Sequence, residues 1–205
     1  MANTTGKKIK DAAIIGGCAS LIYLTIGDIS YRLSLSRGGL NSKLITDMVA
    51  KSAAKKPKNE YKEKLDSMID DGADWFMHQD TEKIIIEKKH RLSLYADLIR
   101  PDKPSNVYII CIHGYTSSPA NMGIYAKKYH ELGYNVLLPS LRGHGDSEQD
   151  FITMGWNDRL DVIEWINYIA ERHPESKIIL HGVSMGAATT MMATGEKLPE
   201  NVKAA

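Results

Sequence analysis

Cysteine is scarce. Cys18 and Cys111 are the only two in 205 residues, far apart and each inside an apolar run, so no disulfide framework can be read. Neither has a partner at metal-ligand spacing. Both read as small buried hydrophobes, and no metal or other cofactor is expected. Net charge is almost absent too: 26 basic against 25 acidic side chains leave +1, which removes any electrostatic case for nucleic acid as a partner. Uncharged stretches of full bilayer length are also missing. The run Ala12–Gly27 has 16 residues, about 24 Å of helix against roughly 30 Å of hydrocarbon.

That run is nonetheless the most apolar stretch near the start of the chain. Extension past Asp28 through Ile29 and snorkelling of Lys10 would lengthen its reach, so residues 1–30 are expected to form a signal anchor or transmembrane helix. No Ala-x-Ala-like cleavage site follows it. Ile15-Gly16-Gly17-Cys18 resembles a lipoprotein box, but the apolar region before it is too short. Lys7, Lys8 and Lys10 favour keeping their end cytoplasmic and the rest of the chain outside, whereas Arg32, Arg37 and Lys43 pull the other way; a cytoplasmic chain is the alternative. A helix packed on the folded domain is the competing structural reading.

What is present suits a globular domain. The composition is 43% hydrophobic and 25% charged, and the length allows one core plus an accessory segment. Residues 31–80 read as a helical cover. One helix is expected from Asn41 or Ser42 to about Lys56, where Pro57 ends it, and a second from about Asn59 to His78 with Tyr61, Leu65, Met68 or Ile69, Ala73 and Phe76 on one face. His78 reads as a surface or capping residue, and His90 has no visible partner. From residue 81 the pattern changes to strands. Lys83–Glu87 and Leu92–Ile99 read as an antiparallel hairpin. Val107–Ile112 and Tyr134–Pro139 are apolar without alternation, as strands buried on both faces of a parallel sheet are. Helices are expected over about Ala120–Leu132 and Gly155–Arg172, the latter with Trp156, Leu160, Ile163, Ile166, Ile169 and Ala170 as its apolar face. Trp165 reads as packing. Asp158 and Asp161 near the start of that helix are accounted for by its dipole.

The stretch that carries chemistry is Lys177–Ala188, KIILHGVSMGAA: an apolar strand, a Gly-x-Ser-x-Gly turn and a helix opening with small residues. Such a turn lifts Ser184 onto a strained backbone at the top of a sheet, and Gly182 and Gly186 are there because a Cβ would strike neighbouring backbone. His181 lies too close in sequence to curl onto Ser184 Oγ. Upstream, Val107–Ile112 runs into His113-Gly114-Tyr115, and Leu141–Ser147 contains Arg142-Gly143-His144-Gly145. Together these spaced motifs resemble an α/β-hydrolase over roughly Trp75 to Ala205. More narrowly, they are similar to bacterial membrane-associated hydrolases of the serine aminopeptidase-like branch.

The resemblance implies an α/β fold, an antiparallel hairpin leading into a parallel sheet with flanking helices, over residues 81–205 as a truncated hydrolase domain. It implies Ser184 as nucleophile, with the backbone N–H groups of Tyr115 and Met185 as the oxyanion hole. His113, Gly114, Arg142, His144, Gly182 and Gly186 would shape the motifs rather than serve the triad. In the family the acid and then the histidine follow the serine. After Gly186 the sequence has no histidine, and its only acids are Glu196 and Glu200. The expectation is therefore an N-terminal piece of a longer serine hydrolase, itself inactive, acting on an ester or amide in a small molecule or peptide. A non-catalytic binding protein and an acyltransferase using the same serine are the alternatives. Leu198–Ala205 looks like the lead into another strand, and the elbow strand is expected to be an exposed edge.

Overall fold

Val107–Ile112 (β3) carries no charge and is buried from Tyr108 onward, so the strand needs apolar cover on both faces. The computed structural model describes residues 4–37, 59–88, 92–147 and 149–205, and in it this strand lies inside a six-stranded sheet. Glu82–Lys88 (β1) and Leu92–Ile99 (β2) form the antiparallel hairpin, from Glu82 opposite Leu98 to Lys88 opposite Leu92. β2 is antiparallel to Asn135–Ser140 (β4), while β4, β3, Lys177–Gly182 (β5) and Val202–Ala204 (β6) run parallel. The order across the sheet is β1-β2-β4-β3-β5-β6.

Alternate side chains of β3 feed two cores. Tyr108, Ile110 and Ile112 join Leu137, Ile178 and Leu180 beneath helices Asp158–Arg172 (α4) and Met185–Thr194 (α5). Ile109 and Cys111 join Val136 and Leu138 on the opposite face. That face is covered by Glu60–Met77 (α2) and by Gly123–Glu131 (α3), which follows a single 3₁₀ turn at Pro119–Met122. Each fully buried aliphatic side chain is worth about 1.5–3 kcal/mol of transfer free energy. The two cores therefore dominate the stability of the sheet.

Several expectations change. Thr4–Leu35 (α1) is one continuous helix, but among the described residues no helix is long and apolar enough to cross a membrane. The transmembrane anchor expected over 1–30 thus finds no support among the described residues. Nor does α1 pack its apolar residues on the domain: Leu21, Ile22, Tyr23, Leu24 and Ile26 are all exposed. The helix expected over 41–56, His90 and the side chain of Cys18 lie outside the described residues.

The second helix starts and stops as its caps dictate. Asn59 Oδ1 accepts the N–H groups of Tyr61 and Lys62, and His78 sits at the C-cap with Nδ1 against Asp74 O at 2.8 Å. Only its C-terminal half is packed, through Gly72 and Phe76, whereas Tyr61, Leu65 and Met68 face solvent. The buried face of α4 keeps the expected Ile166 and Ile169, with Ile163 and Ala170 packed against the same core, but it also takes in residues not expected there. Asp158, Asp161, Val162, Trp165, Ile166 and Ile169 are buried, while Trp156 is 64% and Leu160 42% exposed. Finally, β5 is not an edge, because the short β6 pairs along it.

Candidate active site

β5 ends at Gly182 and α5 begins at Met185, leaving Val183 and Ser184 to reverse the chain. Ser184 does so at φ 55°, ψ −116°, a region L-residues avoid at about 1–3 kcal/mol. Its neighbours must be glycines. A Cβ on Gly182 would lie 2.3 Å from Gly186 O, and one on Gly186 would lie 2.0 Å from Ile112 O. The turn thus presses directly on the end of β3. Ser184 is exposed, and among the described residues its Oγ has no hydrogen-bond partner.

The corner after β3 meets this turn. A Cβ on Gly114 would fall 3.2 Å from Val183 O, 3.3 Å from Ser184 Cβ and 3.9 Å from Ser184 Oγ, so that peptide lies against the serine. Tyr115 is the next residue, and Met185 is the first residue of α5. Among the described residues neither backbone N–H finds a partner within the chain. Two uncommitted amide donors beside one exposed alcohol are what an oxyanion site requires.

His113 is fully buried. Its Nε2 accepts the Leu141 N–H at 3.1 Å, so Nδ1 carries the proton and donates to Gly114 O at 2.9 Å. Burial pushes its pKa down to about 4. His144 repeats the pattern one loop away: Nε2 accepts the Thr116 N–H at 3.1 Å, and Nδ1 donates to Arg142 O at 2.8 Å. Its pKa is lowered, chiefly by burial. The two rings meet edge to face with centroids 4.9 Å apart. With both nitrogens of each ring engaged by backbone, these imidazoles clamp the two loops together and have no free nitrogen to offer Ser184.

Arg142 makes a two-pronged ion pair with Asp161, Nε to Oδ2 and Nη2 to Oδ1 at 2.8 Å, with side chains only 12% and 6% exposed. Asp158 Oδ2 accepts the Thr153 hydroxyl at 2.6 Å and the Gly155 N–H at 2.9 Å. The dipole reading of these two acids missed both partnerships. Their signal was spacing: positions 158 and 161 share a face with Val162 and Trp165, which is the buried one. His181 points to the other side of β5, where Nδ1 lies 2.7 Å from Tyr129 Oη and the Tyr125 ring is 4.5 Å away. Among the described residues no group of three or more His, Cys, Asp or Glu could hold a metal.

A nucleophile elbow on the fifth strand of a mixed sheet, faced by a corner after the third, defines the α/β-hydrolase class. Comparisons place the chain more narrowly. It is 31% identical over 90 residues to a thermostable monoacylglycerol lipase of a Bacillus species, covering 42% of this chain and 34% of that protein. It is 29% identical over 121 residues to the uncharacterized protein YqkD of Bacillus subtilis, covering 58% and 39%. Among solved structures, a Pyrococcus furiosus esterase superposes with a TM-score of 0.54 at 28% identity, covering 62% of this chain and 49% of that one. The chain spans a third to two fifths of the length of these curated relatives. The family model described as serine aminopeptidase, S33, matches residues 103–205, half of the chain, and the chain belongs to that family.

Proposed function

We propose that the protein is a serine hydrolase that cleaves an ester or amide of a small molecule or peptide through an acyl-enzyme at Ser184. The observation that carries this is the exposed Ser184, held at φ 55° with the Gly114 corner against it. In the reaction Ser184 Oγ gives its proton to a base and bonds to the substrate carbonyl carbon. The carbonyl electron pair moves onto oxygen, where the amides of Tyr115 and Met185 hold it. Collapse of that intermediate expels the alcohol or amine with the transferred proton, and water then releases the acid by the same route. We place the base and its supporting acid outside residues 1–205. Supporting this are the engaged nitrogens of His113 and His144 and the lack of histidine between Gly186 and Ala205. The lipase and esterase named among the relatives favour an ester over an amide.

A fluorophosphonate probe tests the reading. The complete protein should label at Ser184, and Ser184→Ala should not label. Residues 1–205 alone should label at least 10³-fold more slowly, because the alcohol then lacks its base. Absence of labelling in well-folded, complete protein would refute the catalytic assignment.

A further inference from the structure

We infer that residues 31–37, the end of α1 and the turn after it, are a strap that positions the oxyanion corner, with Arg37 and the Tyr115 side chain as its positioning residues. This rests on the reading of the Tyr115 amide as an oxyanion donor. Although most of α1 is solvent-exposed, its last turn is docked at one place, against residues 150–152. Leu35 O accepts the Ile152 N–H at 2.7 Å, and the Arg37 N–H donates to Asp150 O at 2.7 Å, closing a short antiparallel bridge between Ser36 and Phe151. The Tyr31 ring lies 5.4 Å from that of Phe151.

From that anchorage the segment reaches both loops of the site. The Arg37 guanidinium donates to Ser147 O at 2.8 Å and to Gly145 O, tying down the loop that holds His144. The Tyr115 hydroxyl donates to Ser34 O, 81 positions away in the chain. Because the Thr116 N–H is held by His144 Nε2, the contacts form a closed circuit: Ser34 to Arg37, across Gly145 and Ser147 to His144, through Thr116 to Tyr115, and back to Ser34. Tyr115 is therefore held through its own hydroxyl and through the N–H of the residue that follows it. Gly143 and Gly145, both at positive φ, make the second loop intrinsically pliant, so its shape depends on what its carbonyls find. Arg37 suits that task because a planar fork serves two acceptors at once, which one ammonium on a flexible stem does less well.

The test is hydrogen–deuterium exchange over residues 113–118 combined with steady-state hydrolysis of a short-chain nitrophenyl ester, both on the complete protein. Arg37→Ala should speed exchange at 114–117 and lower kcat about tenfold with KM little changed, since a displaced donor is felt in the transition state rather than in binding. Arg37→Lys should recover part of both losses. Tyr115→Phe removes one hydroxyl without touching the backbone donor and should act in the same direction, which guards against Arg37→Ala merely failing to fold. Unchanged exchange at 114–117 in both folded variants would overturn the strap. Faster exchange with unchanged kcat would overturn the positioning role. A wild type that turns over neither ester nor amide substrates would refute the hydrolase reading, while the exchange comparison would still decide whether the strap exists.

Discussion

His113 and His144 look like candidate bases on paper, yet each has one ring nitrogen receiving a backbone N–H and the other giving a proton to a backbone carbonyl. Arg142 and Asp161 make the same point with charge. Their forked, almost buried pair joins the loop after β4 to the face of α4, although residues 142 and 161 read separately as a turn residue and a dipole acid. Removing one member of such a pair leaves the other charge poorly solvated, at a cost of about 3–5 kcal/mol. Arg142→Ala should therefore lower the urea midpoint by an amount corresponding to about 3 kcal/mol, whereas Arg159→Ala, whose partner Glu196 is 43% exposed, should shift it by less than about 1 kcal/mol. Equal shifts for the two would refute this ranking.

At the scale of elements, period and cap residues located the helices better than they located the faces. The cap at Asn59 is where the sequence places it, but Leu65 and Met68 on the predicted face are exposed because the neighbour that α2 packs on reaches only its C-terminal half. The close approach there is between glycines. A Cβ on Gly123 would lie 2.0 Å from Gly72 O, and one on Gly72 would lie 2.3 Å from Ile124 N. Both obstacles are backbone, which cannot swing aside. Gly123→Ala should thus push α2 off the sheet, lower thermal stability by about 1–3 kcal/mol and expose Phe76 to solvent, detectable as faster proteolysis within 60–80. A strand leading on from residues 198–205 was legible in the sequence and is present as β6, but that it pairs with β5 and removes the exposed edge depends on where the return from α5 delivers it.

For the whole molecule, the clearest pH signature comes from burial of imidazole. His113 is held near pKa 4 in the folded state against an ordinary value of about 6.5, and His144 and His181 are lowered as well. The unfolded chain therefore binds more protons than the native one between about pH 4 and 6.5, so stability is fully present above that window and falls as pH drops through it. His113 alone corresponds to about 3 kcal/mol across the window. The denaturant midpoint should hold from pH 8 to 7 and then decline steeply towards pH 5, with a shallower decline in His113→Asn. A flat profile would mean that the imidazole is solvated in the native state.

The spaced motifs at 113–114, 142–145 and 182–186 pointed to the class of this protein through their resemblance to a family. Apolar runs without alternation require a sheet covered on both sides, and Gly-x-Ser-x-Gly between strand and helix permits only a sharp elbow, because local sterics act over a few bonds. The partnerships of Arg142 with Asp161, of Tyr115 with Ser34 and of Arg37 with the His144 loop join positions 19 to 110 residues apart. Such contacts depend on how the sheet stacks the loops over one another, so only the folded chain decided them.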